Sequence, residues 1–274
     1  MKIIVYLVVL LAFARLSSSQ QSLPRVDQGA WDKLLRQFVN AQHCVDYARL
    51  KSEGSARLKD YIASLGQIGY RLLSPDEKKA LLVNAYNAFT IQWVLDNYPI
   101  GSIQSTSAPF TQARHRLGGT RVSLDQIESQ LRAMGDPRIH AALVCAARSC
   151  PPLRREAYVG GRLDQQLDEN VRQWLADRSL NTFDSEHAQA EISPIFEWYE
   201  KDFDSYPGGL QGFLRHYAPP DVKAALAERK FRIHFKKYDW RLNDQSRLGA
   251  DYSDLQLAIE WGLGQFLPAW VPFN

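Results

Sequence analysis

The sequence predicts an α+β fold: one helix-dominated domain carrying a small antiparallel or mixed sheet. Three observations predict it. Apolar residues recur at helical spacing in most segments, alternation of period two is confined to a few short stretches, and no Pro/Gly/Ser-rich linker divides the chain. The 274 residues fit one large domain or two small ones, and the missing linker favours one. The 7 Trp and 12 Tyr are spread throughout, which argues for an ordered core over the whole length.

The first helix, Ala30 to Val39, follows from the spacing of Trp31, Leu34, Leu35 and Phe38. A shorter one spans Leu58 to Ile68. Ser74-Pro75-Asp76-Glu77 is a capping box with proline in the first turn, and it opens a helix to about Asn97. That helix is apolar on nearly every side from Ala80 to Leu95, so it is expected to be central and buried. Arg114 to Val122 reads as a hairpin turning at Gly118-Gly119, and Ser123 to Gln126 as a second capping box starting a helix to Met134. Arg138 to Val144 is short and apolar and is assigned as a strand, stopped before Pro151-Pro152. An amphipathic helix covers Leu163 to Leu175, a strand pair Phe183 to Ile192, and a helix from Ser193-Pro194 carries Ile195, Trp198 and Tyr199. Helices at Leu210 to Tyr217 and Asp221 to Glu228 and a strand through Phe231, Ile233 and Phe235 follow. A last amphipathic helix spans Asp251 to Gly262, with an aromatic tail, Phe266 to Phe273.

Lys2, the apolar run Ile3 to Ala14 and Ser17 to Ser19 have the order of a secretory signal, assigned to residues 1–19. The run is about 12 residues, short of the roughly 20 a spanning helix needs. A secreted or periplasmic protein with no stable membrane span after cleavage is therefore expected. Without Lys2 and Arg15 the formal charge falls from +3 to +1, too weak a field to predict nucleic acid as a partner.

Five phrases then combine. Asn84-Ala85-Tyr86-Asn87-Ala88 lies in the central helix; Asp136 to Cys145 runs on to Ser149-Cys150-Pro151-Pro152-Leu153; Leu163 to Asp168, Ile195 to Phe203 and Tyr238 to Asn243 follow. In this order they resemble the family catalogued as domain of unknown function 547. The resemblance covers roughly Trp31 to Asn243, so residues 20–243 are read as the globular domain and 244–274 as a helix and tail packed on it. It implies an exported domain without an assigned activity. Asn is the usual residue of that pattern at the position of Val144, and Cys44 is an addition to it.

The reactive residue types concentrate between His140 and Cys150. A thiol nucleophile needs a base or a cation to raise its thiolate fraction. His140 and Cys145 are five residues apart, which puts them on opposite faces of a strand and about 140° apart on a helix. His234 is therefore an alternative base, with Asp239 to orient it and Arg148 to favour the Cys150 thiolate. Such a set is papain-like by analogy: a Cys, a distant His and an Asp or Asn. It predicts a thiol-dependent hydrolase or acyl transferase using Cys150 or Cys145. Asn84 and Asn87 would bind a substrate carbonyl, or simply pin neighbouring backbone. Trp240 is a candidate ligand platform or a core residue. The alternative is a non-catalytic module in which Cys145 and Cys150 form a structural disulfide, and Arg148, Arg154 and Arg155 hold a small anionic or peptide ligand. No cofactor is implied. No metal is either, because His43, Cys44, His140, Cys145 and Cys150 lack the paired spacing of a zinc site.

Overall fold

The structure is a computed structural model, and it describes residues 27–69 and 73–247. The segment 1–19, the helix from Asp251 and the aromatic tail lie outside the described residues. The fold is helix-rich α+β, organised around one long helix.

Helix α1 (Gln28–Phe38) starts where the Asp27 carboxylate accepts the Gly29 N–H, and it buries Trp31, Leu34, Leu35 and Phe38. A short helix α2 (Tyr47–Arg49) continues through a π turn (Leu50–Gly54) into α3 (Ser55–Gln67). Helix α4 (Pro75–Asn97) opens with the predicted capping box: Ser74 Oγ accepts from Glu77 N, and Glu77 Oε2 accepts from Ser74 N. Every residue from Ala80 to Ile91 is buried, because α3, α5 (Leu124–Arg132) and α6 (Leu163–Ala176) surround it. The hairpin of β1 (His115–Leu117) and β2 (Thr120–Val122) turns at Gly118 and Gly119, both at positive φ. The second predicted capping box, Ser123 with Gln126, opens α5.

After α6 come β3 (Thr182–Asp184) and β4 (Gln189–Ile192), paired antiparallel. Then α7 (Ile195–Trp198), α8 (Glu200–Asp204), α9 (Gly209–Tyr217) and α10 (Pro220–Glu228) lead to β5 (Arg232–Phe235), which pairs parallel to β4. The sheet is thus mixed. No described helix is long and apolar enough to cross a membrane.

One assignment changes. The segment expected to be a strand is a 3-10 turn, Pro137–Ala141, followed by coil. Asp136 accepts from Arg138 N and starts the turn. Side-chain amides then take the place of a sheet ladder. Asn87 Nδ2 donates to the Ala142 carbonyl, Asn87 Oδ1 accepts from Val144 N, both at 2.9 Å, and Asn170 Nδ2 donates to the Ala141 carbonyl. The chain therefore runs through the interior without a neighbouring strand.

Candidate functional site

Beyond that turn lies a loop that brings two cysteines together. Ala146 has a left-handed backbone, φ +65°, although it carries a side chain. This reversal folds Cys150 back beneath Cys145. The C-terminal segment holds the loop in place: Arg148 N donates to the Arg241 carbonyl (2.8 Å), Ser149 N to that of Asp239 (3.2 Å), and Asn243 N to that of Ala146 (3.0 Å). Their sulfurs sit 2.9 Å apart as free thiols, well beyond the roughly 2.05 Å of a covalent bridge. The disulfide expected from the spacing is not formed in this structure.

The pair is asymmetric. Cys150 Sγ receives the N–H groups of Cys145 (3.1 Å) and Ala147 (3.3 Å), with the Tyr238 hydroxyl 3.3 Å away. Burial opposes its ionisation, but hydrogen bonds from the Cys145 thiol, Tyr238 and the two backbone N–H groups outweigh it and hold the Cys150 thiol below the ordinary range. Burial and the same neighbour push the Cys145 thiol up. The pair therefore loses its first proton more easily than its second.

Cys145 is the member that reaches a cleft of about 460 Å³ open to solvent. His140 lines the same cleft. It is 3% exposed and stacks on the Tyr199 ring at 4.0 Å, and its Nε2 is 2.8 Å from Asp202 Oδ2. Burial lowers the imidazole pKa, so this contact is a neutral N–H donating to a carboxylate. The charge partner of Asp202 is Arg132, which donates from Nε (2.6 Å) and an Nη (3.2 Å). Burial works against the carboxylate; hydrogen bonds from His140 and Arg132 overcome it and bring its pKa down to about 2. His140 Nδ1 has no hydrogen-bond partner among the described residues.

Asp125 and Glu128, both on α5, also line the cleft. Burial raises the Glu128 pKa to about 7, although the Tyr199 hydroxyl hydrogen-bonds to the carboxyl. Burial likewise raises Asp125.

The other expected residues lie elsewhere. His234 is exposed on β5, opposite Glu191 in the sheet register, so it is not the base for either thiol. Asp239 grips Arg241 Nε at 2.9 Å and orients no histidine; Asp202 holds that position instead. Both ends of the Asn84 amide are spent on Tyr158 backbone, with Gln28 as a third partner, and those of Asn87 on the thiol loop. They pin backbone. Arg154 is tied to Glu156 and Glu169, Arg155 reaches the Arg36 carbonyl, and none of Arg148, Arg154 and Arg155 lines the cleft. The anion-binding rim is therefore not formed there. Trp240 packs on Tyr238 (4.6 Å) and Trp198 (6.1 Å) and backs the cleft wall.

Asp202, Glu128 and Asp125 escaped the sequence reading. Glu128 carried a signal: Leu124, Ile127, Glu128 and Leu131 share one helical stripe, so a carboxyl occupies a core position. Asp202 lies within the Ile195 to Phe203 phrase, but its role depends on how α8 meets the 3-10 turn.

Fold and cleft together define a helix-rich α+β domain with a paired-thiol site. Residues 70–175 match the family model described as protein of unknown function, DUF547. That span holds α4, α5, the thiol loop and nearly all of α6, while Trp198, Tyr199, Asp202 and Tyr238 come from beyond it. No curated protein and no solved structure matches the chain.

Proposed function

We propose that the cleft is the active site of a thiol-dependent hydrolase or acyl transferase, with Cys145 as nucleophile and His140 as base. The observation that carries this reading is that a half-buried thiol opens into the same cleft as an imidazole whose Nε2 is fixed by Asp202 at 2.8 Å. A nucleophile, a base and a group that orients the base are the minimum set for covalent acyl chemistry. The residue order differs from a papain-like one, because His140 precedes the thiol and the orienting carboxylate follows it.

Cys145 Sγ passes its proton to His140 Nδ1 and adds to an acyl carbon, forming a C–S bond. The oxyanion collapses, the bond to the leaving group breaks, and the leaving group departs with the proton from His140. Water then gives a proton to His140 and its oxygen to the acyl carbon. The C–S bond breaks and the thiol regains its proton. An amine or alcohol in place of water turns hydrolysis into transfer. Burial keeps the Cys145 thiol protonated at rest, so His140 has to take its proton for the sulfur to attack. Cys150 and Tyr238, both within 3.2 Å of Cys145 Sγ, supply hydrogen bonds to the departing thiolate.

The test is turnover of a panel of activated esters and thioesters, beginning with p-nitrophenyl acetate. Cys145→Ala should abolish it and Cys150→Ser should leave a measurable fraction. Full turnover by a folded Cys145→Ala protein overturns the reading.

A further inference from the structure

The cleft walls also say what kind of molecule would enter. Four aromatic side chains, Tyr86, Phe110, Trp198 and Tyr238, line it. A fifth, Tyr199, has its ring engaged by His140 and by the Arg132 guanidinium 5.0 Å above it, and its hydroxyl by Glu128. Neither lysine nor arginine is among the lining residues. The guanidinium that packs on Tyr199, that of Arg132, is bound to Asp202 by two hydrogen bonds. Asp125 is half-buried at the N-terminal end of α5 and has no hydrogen bond or ion pair to its carboxylate among the described residues. A carboxylate partly withdrawn from water without a counter-ion is costly, and a bound cation relieves that cost. The negative faces of aromatic rings attract the same kind of group.

We infer that the cleft takes a substrate bearing an ammonium or alkylated ammonium group, seated between the aromatic walls and Asp125, an inference that rests on the cleft being the substrate site. The ligand class is thus opposite in charge to the anion that the arginine-rich sequence suggested. The cation would occupy the part of the cleft beside α5, with the acyl group directed at Cys145. Ionisation of Glu128 adds a second negative charge to the same wall. The groups around that carboxyl are Tyr199, Asp125, Arg132 and Asp202.

Binding is measured on the full-length Cys145→Ala protein, which leaves the walls intact and removes the thiol chemistry, so failure here and failure of the nucleophile assignment are separate results. Choline and its neutral isostere 3,3-dimethylbutan-1-ol are titrated calorimetrically at about pH 8. Choline should bind about tenfold more tightly than the isostere. Asp125→Asn should remove most of that margin without lowering the melting temperature. The margin of the Cys145→Ala protein should also widen from about pH 5.5 to about pH 8.5 as Glu128 ionises. Equal or weaker binding of choline overturns the inference, as does failure to detect binding of either compound. A margin that Asp125→Asn leaves untouched and that stays flat with pH overturns it too.

Discussion

At the scale of single residues, Glu128 and the three cysteines make the sharpest claims. The Glu128 carboxyl titrates at about 7 in the folded protein, against about 4.5 when unfolded. Between those values the folded chain holds a proton that the unfolded chain has released, so stability falls as pH rises from about 4.5 to about 7. Glu128→Gln removes that loss. The variant should melt higher than the parent well above pH 7, by the equivalent of about 3 kcal/mol, and at the same temperature near pH 4. Equal melting temperatures at both pH values would refute the buried-acid assignment. Among the thiols, Cys145 alone opens to the cleft, whereas Cys150 and Cys44 are buried. Peptide mass spectrometry after brief native alkylation should therefore find the label on Cys145, with Cys44 and Cys150 labelled only after unfolding. Residue identity was the least legible level in the sequence. Cys145 and His140 were conspicuous as types, but the choice between Cys145 and Cys150, and between Asp202 and Asp239, depends on a fold that spacing does not contain.

At the scale of elements, the thiol loop is positioned by α4 and α8, and each connection can be cut. Asn87 satisfies the Ala142 carbonyl and the Val144 N–H inside the core. Asn87→Ala strands both groups and should cost about 2–4 kcal/mol in urea denaturation, while the exposed control Ser129→Ala on α5 costs less than about 0.5 kcal/mol. Asp202 supports His140 from α8. Asp202→Asn keeps a hydrogen bond to the imidazole but accepts from it less strongly and no longer pairs with Arg132. Turnover should fall by at least about tenfold, with KM little changed and the structure intact by circular dichroism; equal losses in kcat and in stability would make Asp202 a purely structural residue. Elements with strong local signals were read correctly from sequence. Both capping boxes stand where Ser74 and Ser123 announced them, and α4 is buried on all sides as its apolar run required. The 3-10 turn at Pro137–Ala141 was misread because its backbone is satisfied by amides more than 25 residues distant in sequence, which periodicity cannot register.

At the scale of the whole molecule, one helix organises everything else. Amides in the middle of α4 should exchange hydrogen only through global unfolding, whereas those of α10 and β5, whose side chains are largely exposed, should exchange through local opening. Exchange of both sets with one common free energy would contradict this hierarchy. The general class, helix-rich with a small mixed sheet, was legible in composition and periodicity. The cleft was not, because its walls join α4 and α5 to residues of α7 and Tyr238, which meet only in the folded chain.

The clasp on the thiol loop has a consequence in time. Tyr238, and the partners of Arg148, Ser149 and the Ala146 carbonyl, all lie between residues 238 and 243, while both cysteines are made some 90 residues earlier. During synthesis the two thiols emerge from the ribosome without the hydroxyl and the backbone contacts that distinguish them. For that interval they are ordinary cysteines in an open loop, exposed to any oxidant or electrophile nearby. The arrangement that tells the two thiols apart forms only when residues 238–243 close over a loop made well before them.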